Sequence, residues 1–148
     1  MSSSLEDPPG ALHREYKGDL ATLRSARRDV VEWFSRQGVD EETKDRAALI
    51  VSELTSNAIQ AAPGLPYHLQ VTRVDHESAS ITVRNQPTRG LPPARQEWRA
   101  PSELPLRELA LRGRGLAIVD SLSEEVTVEH DGRTVVVTAR LRIDTAAR

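Results

Sequence analysis

Glu53 and Asn57 are the residues whose types and spacing point most directly to chemistry. They stand four positions apart in a segment with helical periodicity, so their side chains share one face and can address a single ligand. At about 100° per residue, that face lies beside Ile50 at the rim of a core. A partly desolvated carboxylate can activate a hydroxyl or water there, and an amide oxygen can hold a cation such as Mg²⁺. Taken alone, a four-residue spacing of this kind more often belongs to two polar residues on the surface of a helix than to a ligand site.

A second candidate is Gly113-Arg114-Gly115, which opens an apolar helical segment over 116–122. Glycines leave backbone N–H groups uncovered, and the positive end of a helix attracts anions, so phosphate is the natural ligand. Arg112 and Arg114 add positive charge at the same place. Two glycines before a helix also occur in ordinary turns that bind no ligand.

Two amphipathic helices are predicted upstream of the glycines. The first begins with Asp19 as its N-cap and stops at Gly38. The second is capped by Asp40, ends at Pro63-Gly64 and carries both polar residues of the first candidate. The predicted stripe of the first helix is Leu20, Leu23, Ala26, Val30, Val31 and Phe34, and that of the second is Ala47, Ile50, Val51, Leu54, Ala58 and Ala61.

At least four strands are predicted from alternating apolar residues. One hairpin covers 69–83 with a turn over 75–80, and another covers 126–143 with Asp131-Gly132 as its two-residue turn. The intervening segment 86–112 holds five of the nine prolines and has little periodicity, as a lid would. The element order predicts an α/β two-layer sandwich, with helices on one face of a mixed, mostly antiparallel sheet.

Length and composition narrow the class of protein. The 148 residues fit one domain over 11–148 after a flexible tail over 1–10. The absence of cysteine excludes disulfides and thiolate chemistry, and no stretch has the features of an export signal or a membrane span. A cytoplasmic location is therefore expected. The net charge of -2 gives no sign of a nucleic-acid partner.

Four segments resemble the histidine-kinase-like ATPase superfamily (GHKL), in particular its anti-sigma-factor serine/threonine kinases. ELTSNAIQAA over 53–62 is similar to the N box, and RGRGLAIVDSL over 112–122 is similar to the second glycine box. GDLATLRSARRDV over 18–30 and DGRTVVV over 131–137 resemble the first helix and the last hairpin. The resemblance covers about residues 12–143 and implies a Bergerat-type ATP-binding fold.

The resemblance implies roles for individual residues. Glu53 is the expected general base for a serine hydroxyl on a protein substrate, and Asn57 the expected ligand of the Mg²⁺ that accompanies ATP. The remaining nucleotide contacts are expected from the second glycine box, beneath the ATP lid over 86–112, and from a threonine near the adenine. These residues are Arg112, Gly113, Arg114, Gly115, Leu116 and Thr134.

The first glycine box departs from the family pattern. Asn85 stands where the family has an aspartate that accepts the adenine amino group, and Pro87 stands where it has a glycine. An amide still accepts a hydrogen bond, but a neutral acceptor contributes about 1 kcal/mol against about 1.5–3 for a charged one, which lowers affinity about tenfold. Proline also removes an N–H and fixes φ. Weakened ATP binding is expected.

Two functions remain open from the sequence. The first is a regulatory, ATP-binding serine/threonine kinase that binds a sigma factor and phosphorylates an antagonist protein, with homodimerisation expected from the family. The second is a degenerate, non-catalytic interaction module of the same fold, which Asn85 and Pro87 favour. A sensor kinase catalytic domain is disfavoured, because the chain has no room for a phosphoacceptor helix pair.

Overall fold

The computed structural model describes residues 10–88 and 115–146. Its elements, in chain order, are β1 (Leu12–Tyr16), α1 (Thr22–Arg36), α2 (Glu41–Ala61), β2 (Tyr67–Arg73), β3 (Ser78–Asn85), α3 (Gly115–Leu122), β4 (Glu125–Asp131) and β5 (Thr134–Arg142). The predicted tail lies outside the described residues except for Gly10, and so does most of the predicted lid. No helix of the described ranges is long and apolar enough to cross a membrane.

The five strands form one sheet in the order β1-β2-β3-β5-β4. Each neighbouring pair is antiparallel, so the predicted mostly antiparallel sheet with packed helices is confirmed, and no described pair is parallel. Strand β1 was not predicted, because its sequence LHREY fully buries only Leu12 and so has no alternating apolar pattern.

The two faces of the sheet differ in character because side chains alternate along each strand. The face toward the helices, called here the inner face, carries the apolar core. It is identified by hydrogen bonds to the helices, such as the one between Asn85 and Ala58. The other face, called the outer face, is mostly polar. Buried inner-face residues include Leu12, Tyr67, Leu69, Val71, Ala79, Ile81, Val83, Val126, Val135, Ala139 and Leu141.

Helix α2 is the central element of the helical layer. Its predicted N-cap is confirmed, because the backbone N–H of Thr43 donates to the Asp40 carboxylate at 2.8 Å. The helix packs against α1 on one side and α3 on the other, and it contacts β3 below. Its predicted stripe is buried from Ala47 to Ala58. This packing fixes the orientation of the polar residues that α2 carries.

The predicted start of the first helix is wrong. Helix α1 begins at Thr22, and its N-cap position is Ala21, which makes no capping hydrogen bond through its side chain. The Asp19 carboxylate instead accepts the backbone N–H of Ala21 at 3.0 Å, in the turn before the helix. Leu20 is 65% exposed and does not join the buried stripe. The predicted stop is confirmed, since the chain leaves the helix through Gly38 at φ +74°.

The predicted turns of both hairpins are displaced. The loop between β4 and β5 is Gly132-Arg133, one residue later than predicted, because Asp131 still pairs with Thr134. Gly132 has φ +64°, which suits the first central position of a type II′ turn. In the other hairpin, β3 begins at Ser78, so the turn is shorter than expected.

Candidate functional site

The structure brings Glu53, Asn57 and Gly115 together. Both side chains lie on the flank of α2 that faces the start of α3. A Cβ atom built at Gly115 would lie 2.6 Å from Oε1 of Glu53 and 3.6 Å from Nδ2 of Asn57. The acid and the amide therefore meet the second glycine of the second glycine box, as one ligand bound to all three requires.

Gly115 lets the Glu53 carboxylate lie directly against the start of α3. Carbon and oxygen atoms that are not bonded do not approach to 2.6 Å without strain, so a side chain at this position would displace the end of the Glu53 side chain. The next residues, Leu116 to Val119, are buried and hold α3 against the core. The apolar sequence of α3 thus fixes the glycine backbone beside the Glu53 carboxylate.

Burial raises the pKa of Glu53 above its ordinary value of 4.5. The carboxylate is half-buried, and no described residue forms an ion pair with it. Desolvation disfavours the charged form, so the proton affinity of this carboxylate is higher than that of a surface glutamate. A carboxylate of this kind is suited to accept a proton from a hydroxyl.

Asn85 lies on the inner face of β3, next to the site. It is 9% exposed, and its Nδ2 donates to the carbonyl of Ala58 at 3.1 Å. The identity of the donor follows from chemistry, since a carbonyl oxygen only accepts. Because Ala58 follows Asn57 in α2, the hydrogen bond joins the end of β3 to the segment that carries the predicted magnesium ligand. An ionised aspartate has no proton to donate, so it could not make this hydrogen bond.

The residues after β3 close onto the end of α2. The backbone N–H and the hydroxyl of Thr88 both donate to the carbonyl of Ala61, at 2.8 and 3.3 Å. Pro87 is half-buried between Asn85 and this contact. These bonds could not be predicted from the sequence, because their acceptor is a backbone carbonyl, which any helical residue supplies.

The structure does not bring Thr134 to the other site residues. Val135 is buried on the inner face opposite Asn85, so the preceding residue projects from the outer face. Thr134 lines a groove there with His68 and Arg84. The alternation of Val135, Val137 and Ala139 was a signal for this in the sequence. Arg112, Gly113 and Arg114 lie outside the described residues.

Residues 16–141 match the family model of the histidine kinase-like ATPase domain. The chain belongs to this family. No curated protein is similar to it in sequence at a significant level. The match extends over every described element from the end of β1 to the end of β5, so the arrangement of α2 and α3 above is that of a histidine kinase-like ATPase domain.

Two solved structures at 14% identity share the fold. For the RsbU and RsbW domains of Rv1364c from Mycobacterium tuberculosis, the TM-score is 0.66, with 96% of this chain and 35% of that chain covered. For the SiaB-SiaC complex from Pseudomonas aeruginosa, the TM-score is 0.64, with 88% of each chain covered. This histidine kinase-like ATPase domain thus spans about a third of the first structure.

The family implies ATP, usually with Mg²⁺, and the described residues fit it at the phosphate end. The Gly115 backbone carries no side chain, and it lies beside an amide and a carboxylate whose oxygens can hold a cation. At the base end, the Asn85 amide nitrogen is engaged by α2, so only its oxygen remains to accept a hydrogen bond. The fit therefore rests on the α2 and α3 residues.

Proposed function

We propose that this protein is an ATP-binding regulator of transcription, acting as an anti-sigma-factor-type serine/threonine kinase. It binds a sigma factor and phosphorylates a serine or threonine of an antagonist protein in the cytoplasm. The observation that carries this proposal is the contact of Gly115 with both Glu53 and Asn57. That contact gathers a base, a cation ligand and the glycine at the start of α3 at one place.

Each residue has a role that follows from its position. Asn57 holds Mg²⁺ through its amide oxygen, and Glu53 accepts the proton of the substrate hydroxyl. By the resemblance to the family, Gly113, Arg114 and Gly115 hold the phosphates, with Arg112 as a further nucleotide contact and residues 86–112 as the ATP lid. ATP, when bound, supplies the phosphoryl group. Because such transfer depends mainly on positioning and charge neutralisation, the closeness of Glu53 and Asn57 is what the chain contributes.

The structural neighbours support a protein partner. SiaB was solved as a complex with SiaC, and its fold covers nearly the same length as this chain. The other neighbour contains an RsbW domain beside an RsbU domain. We infer by analogy that this chain recognises an antagonist protein. We also infer that it forms a homodimer, and light scattering on the purified chain can measure the mass of that particle.

Phosphotransfer tests the proposed activity. The purified chain is incubated with γ-labelled ATP, Mg²⁺ and an extract of the source cells, and labelled serine or threonine is measured. Glu53→Ala is expected to abolish the label while ATP binding persists, because the base is lost and the phosphate contacts are not. Gln60→Ala, exposed on the same helix, is the matched control and should label as the wild type does.

A non-catalytic interaction module is the second candidate. It is favoured by the hydrogen bonds of Asn85 and Thr88 to α2, which draw the first-glycine-box segment onto the helix. A label that survives in Glu53→Ala, or no label from a wild-type chain that binds ATP, would favour this module over the kinase. Absence of ATP binding would exclude the kinase outright.

A further inference from the structure

A groove lies on the outer face of the sheet. It has a volume of about 390 Å³ and forms where β3 ends and β5 begins. The residues that line it include Pro66, His68, Arg84, Asn85, Thr134 and Val136. The volume is in the range of small-molecule sites.

The groove presents several hydrogen-bond donors and the positive charge of Arg84. His68 and Arg84 are directly opposite each other on β2 and β3, which places their side chains next to each other on one face. Arg84 also lies opposite Val136 on β5, so its other neighbour is apolar. Within the described ranges, no carboxylate forms an ion pair with Arg84, whereas Arg46 and Arg142 each have one and Arg140 has two.

We propose that this groove binds a small molecule through an oxyanion group, either a carboxylate or a phosphate. The Arg84 guanidinium presents paired N–H donors that match such oxyanions, and His68 and the Thr134 hydroxyl add donors on either side. Val136 and Pro66 provide apolar surface for the remainder of the molecule. Asp131 lines the groove as well and disfavours a second anionic group, so the ligand has one.

The groove is separate from the α2 and α3 site. Asn85 borders the groove at the end of β3, but its amide group donates to Ala58 of α2 on the inner face, whereas Arg84 projects from the outer face. Glu53, Asn57 and Gly115 do not line the groove. A ligand at Arg84 therefore does not occupy the space beside Glu53 and Asn57. The proposal does not depend on ATP binding.

Titrations followed by ¹⁵N-resolved NMR test the groove. Sodium phosphate and sodium acetate are added separately at constant ionic strength, with sodium chloride as the reference. Saturable shifts are expected at the amides of His68, Arg84 and Thr134 with one or both of the two anions. Arg84→Ala should weaken binding about tenfold, because a charge-assisted pair is lost, and Arg84→Lys should weaken it less.

Arg24→Ala is the matched control, since Arg24 is an exposed arginine on α1 and its removal changes the net charge equally. It should leave anion binding unchanged, and Asn57→Ala should do the same. Equal responses to phosphate, acetate and chloride would overturn the proposal, as would absence of saturation. Equal weakening by Arg24→Ala and Arg84→Ala would also overturn it, because nonspecific attraction would explain the shifts.

Discussion

At position 115, the absence of a side chain decides whether Glu53 and Asn57 can share a ligand with the helix that follows. An alanine Cβ at this position would lie 2.6 Å from Oε1 of Glu53, so the carboxylate would have to move. The same carboxylate has a raised pKa because burial removes water from it.

Gly115→Ala should move the Glu53 carboxylate while leaving the unfolding free energy within about 1 kcal/mol of wild type. The new methyl group meets only the end of the Glu53 side chain, which can change rotamer, and alanine in a helix is otherwise more favourable than glycine. Urea denaturation measures the stability, and an NMR titration measures the pKa of Glu53, which should differ from that of the wild type. Ser121→Ala on the exposed side of α3 serves as control. A Glu53 titration identical to that of the wild type would contradict the contact.

Asn85→Asp should also lower the unfolding free energy, by about 1–3 kcal/mol at neutral pH. The buried amide donates to the Ala58 carbonyl, and an ionised carboxylate would face that carbonyl without a proton. Burial raises the folded-state pKa of the introduced aspartate, so its deficit should shrink in acid and grow as the pH rises. Gln86→Glu introduces the same charge at an exposed neighbour and should have little effect. An equal loss at all pH values would be inconsistent with this explanation.

Glu53→Gln should make the chain more stable relative to wild type as the pH rises. Because the folded-state pKa of Glu53 is raised, its favourable contribution is present below 4.5 and is lost as the pH rises through the folded-state pKa. The variant does not undergo this loss. Thermal unfolding measured across acidic to neutral pH should show the two curves converging in acid. A difference that does not vary with pH would contradict the raised pKa.

The sequence identified these residues unequally. The four-residue spacing of Glu53 and Asn57 was enough to place them on one face, because a helix has a fixed periodicity. It could not show that Asn85 donates to α2, since the acceptor is a backbone carbonyl. Thr134 was assigned from resemblance although the neighbouring Val135 and Val137 already placed it on the outer face. Strand alternation was the stronger guide there.

At the scale of elements, α2 connects every part of the candidate site. Its start is capped by Asp40, its middle carries Glu53 and Asn57, and its end accepts hydrogen bonds from the segment after β3. The cap and the stop of α2 were predictable because their residues act locally. The start of α1 was not predictable. The Asp19 carboxylate accepts the backbone N–H of Ala21 in the turn before the helix, and that turn has no clear periodicity of apolar residues.

Asp40→Ala should lower the thermal stability of the chain without removing ATP binding, because the cap lies at the far end of α2. Hydrogen bonding to Thr43, from its side chain and then its backbone, holds the pKa of Asp40 below its ordinary value of 3.8. The contribution is therefore present above that value and lost as the pH falls. Asp40→Asn keeps a capping side chain and should retain most of the stability. A Tm equal to that of wild type would argue against the cap.

At the scale of the molecule, one sheet separates two environments. The inner face and the helices enclose the candidate nucleotide site, and the outer face carries the Arg84 groove. The antiparallel sheet and its helical layer followed from the order of periodic segments, but the pairing of β3 with β5 brings together residues about fifty positions apart. Such contacts leave little trace in local sequence, and for this reason the groove was not foreseen.

Calorimetric titration of the chain with ATP, with and without Mg²⁺, measures whether the residues between α2 and α3 form a nucleotide site. If Asn57 and Gly115 border a nucleotide site, the wild type and Gln60→Ala should bind ATP saturably and with Mg²⁺ dependence. Asn57→Ala should lose about tenfold or more in affinity, because a ligand of the cation is removed. Absence of saturable ATP binding in the wild type would contradict a nucleotide site here. An affinity for ATP in Asn57→Ala equal to that of the wild type would contradict the role of Asn57.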